Sequence, residues 1–447
     1  MSIKMKPFLT AMILVFMLVV SACSGGGTSS GGDSAKGTEE QKPGSETVEP
    51  KSEENNDPVT LKLYIGTGIS DEELSSIIVD PVKAKYPNIT IEPVRPDEGK
   101  KIEELIAAND VPDIIFTWNG DLGKYSNLDL FEDITPLAEK HGIDLNAFQP
   151  STLDTIRQFS SNNELYALPF NMSFNITFYN KDIFDKFGVD YPTNDMTWDQ
   201  MIELSKSLTR NENGIQYRGL DSDNLGRMTS QLAASHIDGK TEEASVDNEK
   251  WKRIYETAKK VWSIPGNEPP KMMTFDAPNN FATEKNIAIL PSASYVLGRL
   301  ADVDFNWGVV SYPVYTDLPD NHGYTEAGIL GLTKTSKHKE QVVQALSVIT
   351  SKENQQEMVR NQARLSPLND PELNKQFGAD LEHLKDKNIG EMIYEPLQAP
   401  YFSSYENDAR GVVWDAFKEY YAGKDINTTL REANEKVNAL LAEKKAK

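Results

Sequence analysis

Val59-Thr60-Leu61-Lys62-Leu63-Tyr64-Ile65 and, some fifty positions on, Asp113-Ile114-Ile115-Phe116-Thr117-Trp118-Asn119-Gly120-Asp121 bracket the stretch whose reading decides the fold. The first run alternates as a strand, and the second is an apolar strand that leaves for a polar loop. Between them lie a helix-like stretch carrying Leu74, Ile77 and Ile78, stopped at Tyr86-Pro87, and a second strand, Ile89 to Val94. An amphipathic helix is expected over Lys101 to Asn109. Strands alternating with helices at this spacing predict parallel βαβ units, so the body is an α/β fold.

Outward from this core, four further amphipathic segments read as helices: Trp198 to Leu208 behind Thr197 as a cap, Asn248 to Val261, Lys339 to Thr350, and Thr428 to Leu441. No repeat of fixed period is present. At 447 residues the chain exceeds the size at which one core keeps growing, which predicts about two domains. Hydrophobic residues at 38% supply enough apolar surface for both.

The first residues differ from the rest. Lys4 and Lys6 precede an apolar run from Phe8 to Val20 and the small residues Ser21 and Ala22, the order of a secretory signal. The run is too short to be a good membrane span. Val20-Ser21-Ala22-Cys23 resembles the lipobox of bacterial lipoproteins, which implies that Cys23, the sole cysteine, is lipidated and becomes the mature N-terminus. A disulfide within the chain is thereby excluded, and stability must come from burial. From Ser24 to Asp57 the chain is Gly, Ser, Thr, Glu, Lys and Pro, too polar to offset the entropy of ordering, so residues 23–58 are expected to be a tether.

The formal charge is -22, and loss of residues 1–22, with Lys4 and Lys6 and no acid, would take it to -24. Such a surface repels phosphate backbones, so nucleic acid is not an expected partner. Membrane attachment must then rest on the lipid.

Metal and nucleotide chemistry find little support. The histidines at 141, 236, 322, 338 and 383 are scattered, with no HExxH, and no metal or other cofactor is expected. Gly66-Thr67-Gly68 has Asp71 where a third glycine belongs and no Walker lysine follows, so a tight turn is the better reading. No G-x-S-x-G elbow occurs. Paired carboxylates could serve a glycosidase, but with 68 Asp and Glu such pairs arise by chance.

Aromatic and amide residues at strand ends stand out instead. Trp118, Asn119 and Asp121 follow the third strand, where open α/β sheets bind ligands. An indole face stacks on the apolar face of a pyranose, while amides and carboxylates bond vicinal hydroxyls. Phe170 with Asn171, Ser294 with Tyr295, and Tyr324 with Glu326 repeat the pattern, as does Pro400-Tyr401-Phe402.

In this order the marks resemble the family 1 extracellular solute-binding proteins of ABC importers, over about residues 59 to 441. They are Val111 to Phe116; Tyr166-Ala167-Leu168-Pro169 followed by Phe178 to Asp182; Tyr191-Pro192 with Thr197-Trp198; Ile287 to Leu290; and Thr335 to Glu340 with Thr350 to Gln355. The resemblance implies two lobes, residues 59–168 with 328–365 and residues 169–327 with 366–447, joined by a hinge crossed near Leu168, Ala327 and Ser366. It implies a ligand gripped between them, with Trp118, Asn119, Asp121, Phe170, Asn171, Ser294, Tyr295, Tyr324, Glu326 and Arg410 at the site and the segment around Arg227 approaching it. Trp198 matches a position that is structural in the family. Many sugar-binding members carry Gly and Trp where this chain has Ser292-Ala293-Ser294-Tyr295, so the stacking platform there is expected to be Tyr295 or absent.

The function so implied is a monomeric, lipid-anchored protein on the outer face of the cell membrane. It captures a sugar, an oligosaccharide, by hinge closure and delivers it to the permease of an ABC importer. The alternatives are a lipid-anchored glycan-active hydrolase and a sensor partner that presents ligand to a membrane kinase.

Overall fold

The computed structural model describes residues 57–97, 99–394 and 397–446. The expected leader, Cys23 and nearly all of the tether lie outside the described residues. Eight strands build the two principal sheets: β1 (Val59–Ile65), β2 (Ile89–Val94), β3 (Ile114–Trp118), β4 (Ala167–Ser173), β5 (Asn175–Asn180), β6 (Ile289–Ala293), β7 (Trp307–Ser311) and β8 (Glu326–Leu332).

The first sheet runs β2-β1-β3-β8-β4. Its β1 pairs in parallel with β2 and β3, with Leu63 beside Ile114, as the βαβ reading requires. Strand β8 then inserts antiparallel between β3 and β4, with Gly328 opposite Trp118. Along β1 the alternation is real at the start, where Leu61 and Leu63 are buried and Thr60 is exposed, and both faces are covered at the end. Helices packed on both faces of a parallel sheet produce that pattern.

The second sheet is β6-β5-β7, with both outer strands antiparallel to β5. The chain passes between the sheets at Phe174, which separates β4 from β5. Leu365 bridges back to Met172, and Pro367 accepts from Gln149 N–H. One apolar core gathers Leu61, Ile115, Phe116, Leu330 and Leu346 under the first sheet and continues through Phe174, Ile176 and Phe178. Another collects Trp251, Tyr255, Trp262, Val413, Phe417 and Leu430 from the later helices.

The expected helices are present at Trp198–Leu208, Glu249–Trp262, Lys339–Ile349 and Ile426–Lys445, and a shorter one at Ile102–Ala107. Thr197 caps the first of these by accepting from Gln200 N–H, with the Gln200 side chain returning to Thr197 N–H. Trp198 is buried and donates its indole N–H to Gln231 at 2.9 Å, a structural role as expected. No helix among the described residues is long and apolar enough to cross a membrane.

Candidate functional site

A cavity of about 480 Å³ lies where the carboxyl ends of β1 and β3 meet the helices of the second core. Its wall on the first-sheet side is the Gly66-Thr67-Gly68 turn, Trp118, Asp121 and the β4–β8 pair. Strand-end loops collect there because the parallel strands all point their carboxyl ends the same way.

Trp118 is the last residue of β3 and is half-buried. Its indole lies on Gly120, where a Cβ would come within 2.1 Å of the ring, so only glycine allows this placement. Phe402 meets it edge-on at 6.4 Å and meets Tyr324 at 6.1 Å, making an aromatic wall of three rings. Asn171 depends on a second close approach: a Cβ on Gly328 would come within 2.5 Å of its Oδ1.

Polar groups face these rings. Arg227, on the helix Leu225–Leu232, donates one Nη to both carboxylate oxygens of Glu326, at 3.0 and 2.9 Å. The pair joins β8 of the first sheet to a helix of the second core, where Leu225 and Met228 are buried. Behind it, Asp223 accepts from Ser292 Oγ at 2.8 Å and from Asn224 at 3.0 Å, and burial pushes its carboxyl up to about 6. Burial likewise raises the Tyr295 phenol to about 12, so it stays a neutral donor.

The helix Glu406–Tyr421 supplies the remaining side. Asn407, Arg410 and Trp414 follow at spacings of three and four and share one face. Asn407 donates to Asp121, whose carboxyl burial raises. Arg410 sits over Phe275 and Trp414, 5.5 and 5.6 Å from the ring centres. Phe275 is 56% exposed, an unusual place for a large apolar ring.

Of the ten residues expected at the ligand, Trp118, Asp121, Asn171, Tyr295, Tyr324, Glu326 and Arg410 line this one cavity. The structure does not bring the other three there. Phe170 is fully buried edge-on against Phe116 at 5.3 Å, a core position. Ser294 Oγ accepts from Phe174 N–H at 3.2 Å and fastens β6 to the passage between sheets. Asn119 spends its amide oxygen on Ala327 N–H at 3.2 Å and faces a separate hollow beside Met172 and Thr325. Asn119 and Ser294 directly follow strands and Phe170 sits in the middle of β4, and backbone bonding or packing consumes all three.

The Gly66 turn, read from sequence only as a tight turn, also lines the cavity, as do Phe275, Arg299, Arg364 and Trp414, which sequence reasoning passed over. Only Trp414 carried a signal, its spacing from Asn407 and Arg410 on one helical face.

A family model described as bacterial extracellular solute-binding protein matches residues 70–356. The chain belongs to this family. An uncharacterized ABC transporter extracellular-binding protein of Pyrococcus horikoshii is 26% identical over 219 residues, a match spanning 47% of this chain and 45% of that relative. The chain thus aligns with about half the length of that curated relative. Among solved structures, an ABC substrate-binding protein of Listeria monocytogenes in complex with cycloalternan superposes with a TM-score of 0.69 at 18% identity. The superposition covers 86% of this chain and 100% of the other. The GacH receptor of Streptomyces glaucescens, solved unliganded and with acarbose, gives 0.67 at 14% identity over 86% and 98% of the two chains. The fold of this family member is therefore the two-lobed binding-protein fold, and its family acts outside the cytoplasm.

Proposed function

We propose that this solute-binding protein captures an oligosaccharide between its lobes and hands it to an ABC-type importer without chemical change. The observation that carries the reading is the cavity itself, which combines an indole and two further rings with hydrogen-bonding side chains supplied by both sides. An aromatic wall supplies the apolar face that a pyranose stacks on, and the polar groups match its hydroxyls. Proteins of the same fold solved with cycloalternan and acarbose support the ligand class.

The acids at the cavity support binding rather than hydrolysis, since each is committed to a protein group: Glu326 to Arg227, Asp121 to Asn407 and Glu406 to His236. Closure would use the passages at Phe174, before Glu326 and beyond Leu365 as its hinge. Lipidation at Cys23 would hold the monomer beside its permease on the outer face of the membrane.

Calorimetry against a panel of oligosaccharides tests the proposal. A saccharide should bind, and Trp118→Ala should weaken it about tenfold to a hundredfold, the loss of one stacking platform. Stabilisation by a peptide or a metal and by no sugar would remove the reading.

A further inference from the structure

The wall of the cavity is richer in cations than the chain around it. Against a formal charge of -22 for the whole sequence, four guanidinium groups face this one space: Arg227, Arg299, Arg364 and Arg410. Two are neutralised, Arg227 by Glu326 and Arg364 by Glu73, each at 2.9 Å. Among the described residues the other two make no ion pair. Arg299 donates to the neutral oxygen of Asn279 at 2.6 Å and lies 5.4 Å from the centre of the Tyr295 ring. Arg410 rests on Phe275 and Trp414.

The acids on the same wall do not offset them. Glu326 belongs to Arg227, and Glu406 accepts from the backbone N–H groups of His236 and Ile237 and meets His236 Nδ1. Asp121 feels the Arg410 charge, but it is half-buried, makes no ion pair with Arg410, and is bonded to Asn407. Arg227 Nε is buried without a partner, a further donor in excess.

A guanidinium laid on an aromatic face keeps its N–H edge free in the plane, the geometry that grips a carboxylate with two parallel bonds. Closing the lobes over a neutral sugar would take water from two uncompensated cations, which is unfavourable, whereas an anionic ligand turns the same step into a gain. We propose that the ligand is an acidic saccharide, with an anionic substituent such as a uronate carboxylate held by Arg410 and a second acidic position met by Arg299. The inference rests on the sugar reading above and narrows it.

Isothermal titration calorimetry on the full chain separates the two. Trigalacturonate, its methyl ester, glucose 6-phosphate and maltotriose are the probes. The acid should bind at least about tenfold more tightly than the ester, and Arg410→Gln should cut the acid's affinity about tenfold to a hundredfold and the ester's by less, so that the acid-to-ester ratio narrows. Arg299→Gln, at an exposed position, provides a second variant that should fold normally and also narrow the acid-to-ester ratio. Binding of glucose 6-phosphate in place of the uronate would keep the acidic class and make the substituent a phosphate. Maltotriose or the ester binding as tightly as the acid would overturn the proposal and leave the sugar reading standing. A peptide ligand with no saccharide binding would overturn both.

Discussion

Asp223 is held in a place that favours its neutral form. Its carboxyl is buried beside Ser292 and Asn224, and burial lifts it from 3.8 to about 6, with the Arg227 charge working in the opposite direction. The folded state therefore binds this proton more tightly than the unfolded chain does. The contribution to stability is fully present below pH 3.8 and is lost as pH rises through about 6. Asp223→Asn keeps an acceptor for Ser292 without the charge and removes this term. Thermal melting of both proteins should show the variant gaining on the parent between pH 4 and 7, by about 2–3 kcal/mol at the upper end. An unchanged difference across that range would mean that Asp223 ionises freely in the fold. Nothing in the sequence around Asp221-Ser222-Asp223-Asn224 announces this, because the Asp223 partner Ser292 comes from β6, 69 residues on. Trp118, by contrast, was legible, since the polar residues after its strand, Asp121 among them, set it apart from a core Trp.

At the scale of elements, the stretch between β1 and β2 shows how a local rule is broken and repaired. Asp71–Leu74 and Asp80–Lys85 are helical, started by Ser70 with Glu73 in a capping box. Between them Ser75–Val79 widens into a π turn, because Pro81 has no N–H to give to the carbonyl of Ile77. Asn354, on the helix Lys352–Gln362, reaches across and donates to that carbonyl at 2.9 Å, and to Ile349 O at the same distance. Asn354→Ala would leave a buried carbonyl unpaired and should cost about 1–3 kcal/mol in denaturant unfolding, with ligand affinity unaltered. A stability equal to the parent would mean that water repairs the gap. The helix-like stretch was readable from Leu74, Ile77 and Ile78, β1 from its alternation and β3 from its apolar run. The insertion of β8 between β3 and β4 was not. It pairs Gly328 with Trp118 across some two hundred residues, and its close packing on Asn171 depends on a missing Cβ. Pattern within a window does not carry information of that range.

For the whole molecule, the question is what the ligand changes. The Arg227–Glu326 pair spans from β8 to the second core and so forms part of the contact between the lobes. A ligand shifts such an equilibrium only by the difference in its affinity for the two states, and it touches both walls of the cavity only when they approach. Small-angle scattering of the full chain should therefore show a smaller radius of gyration once ligand saturates the site. Glu326→Gln should enlarge the unliganded particle, because an uncompensated Arg227 is then drawn toward water. The same variant should bind ligand more weakly, since more of its population must be brought to closure. If calorimetry finds ligand bound while the scattering of the parent does not change, the lobes are closed beforehand, and recognition lies in the rings and arginines of the cavity rather than in the hinge.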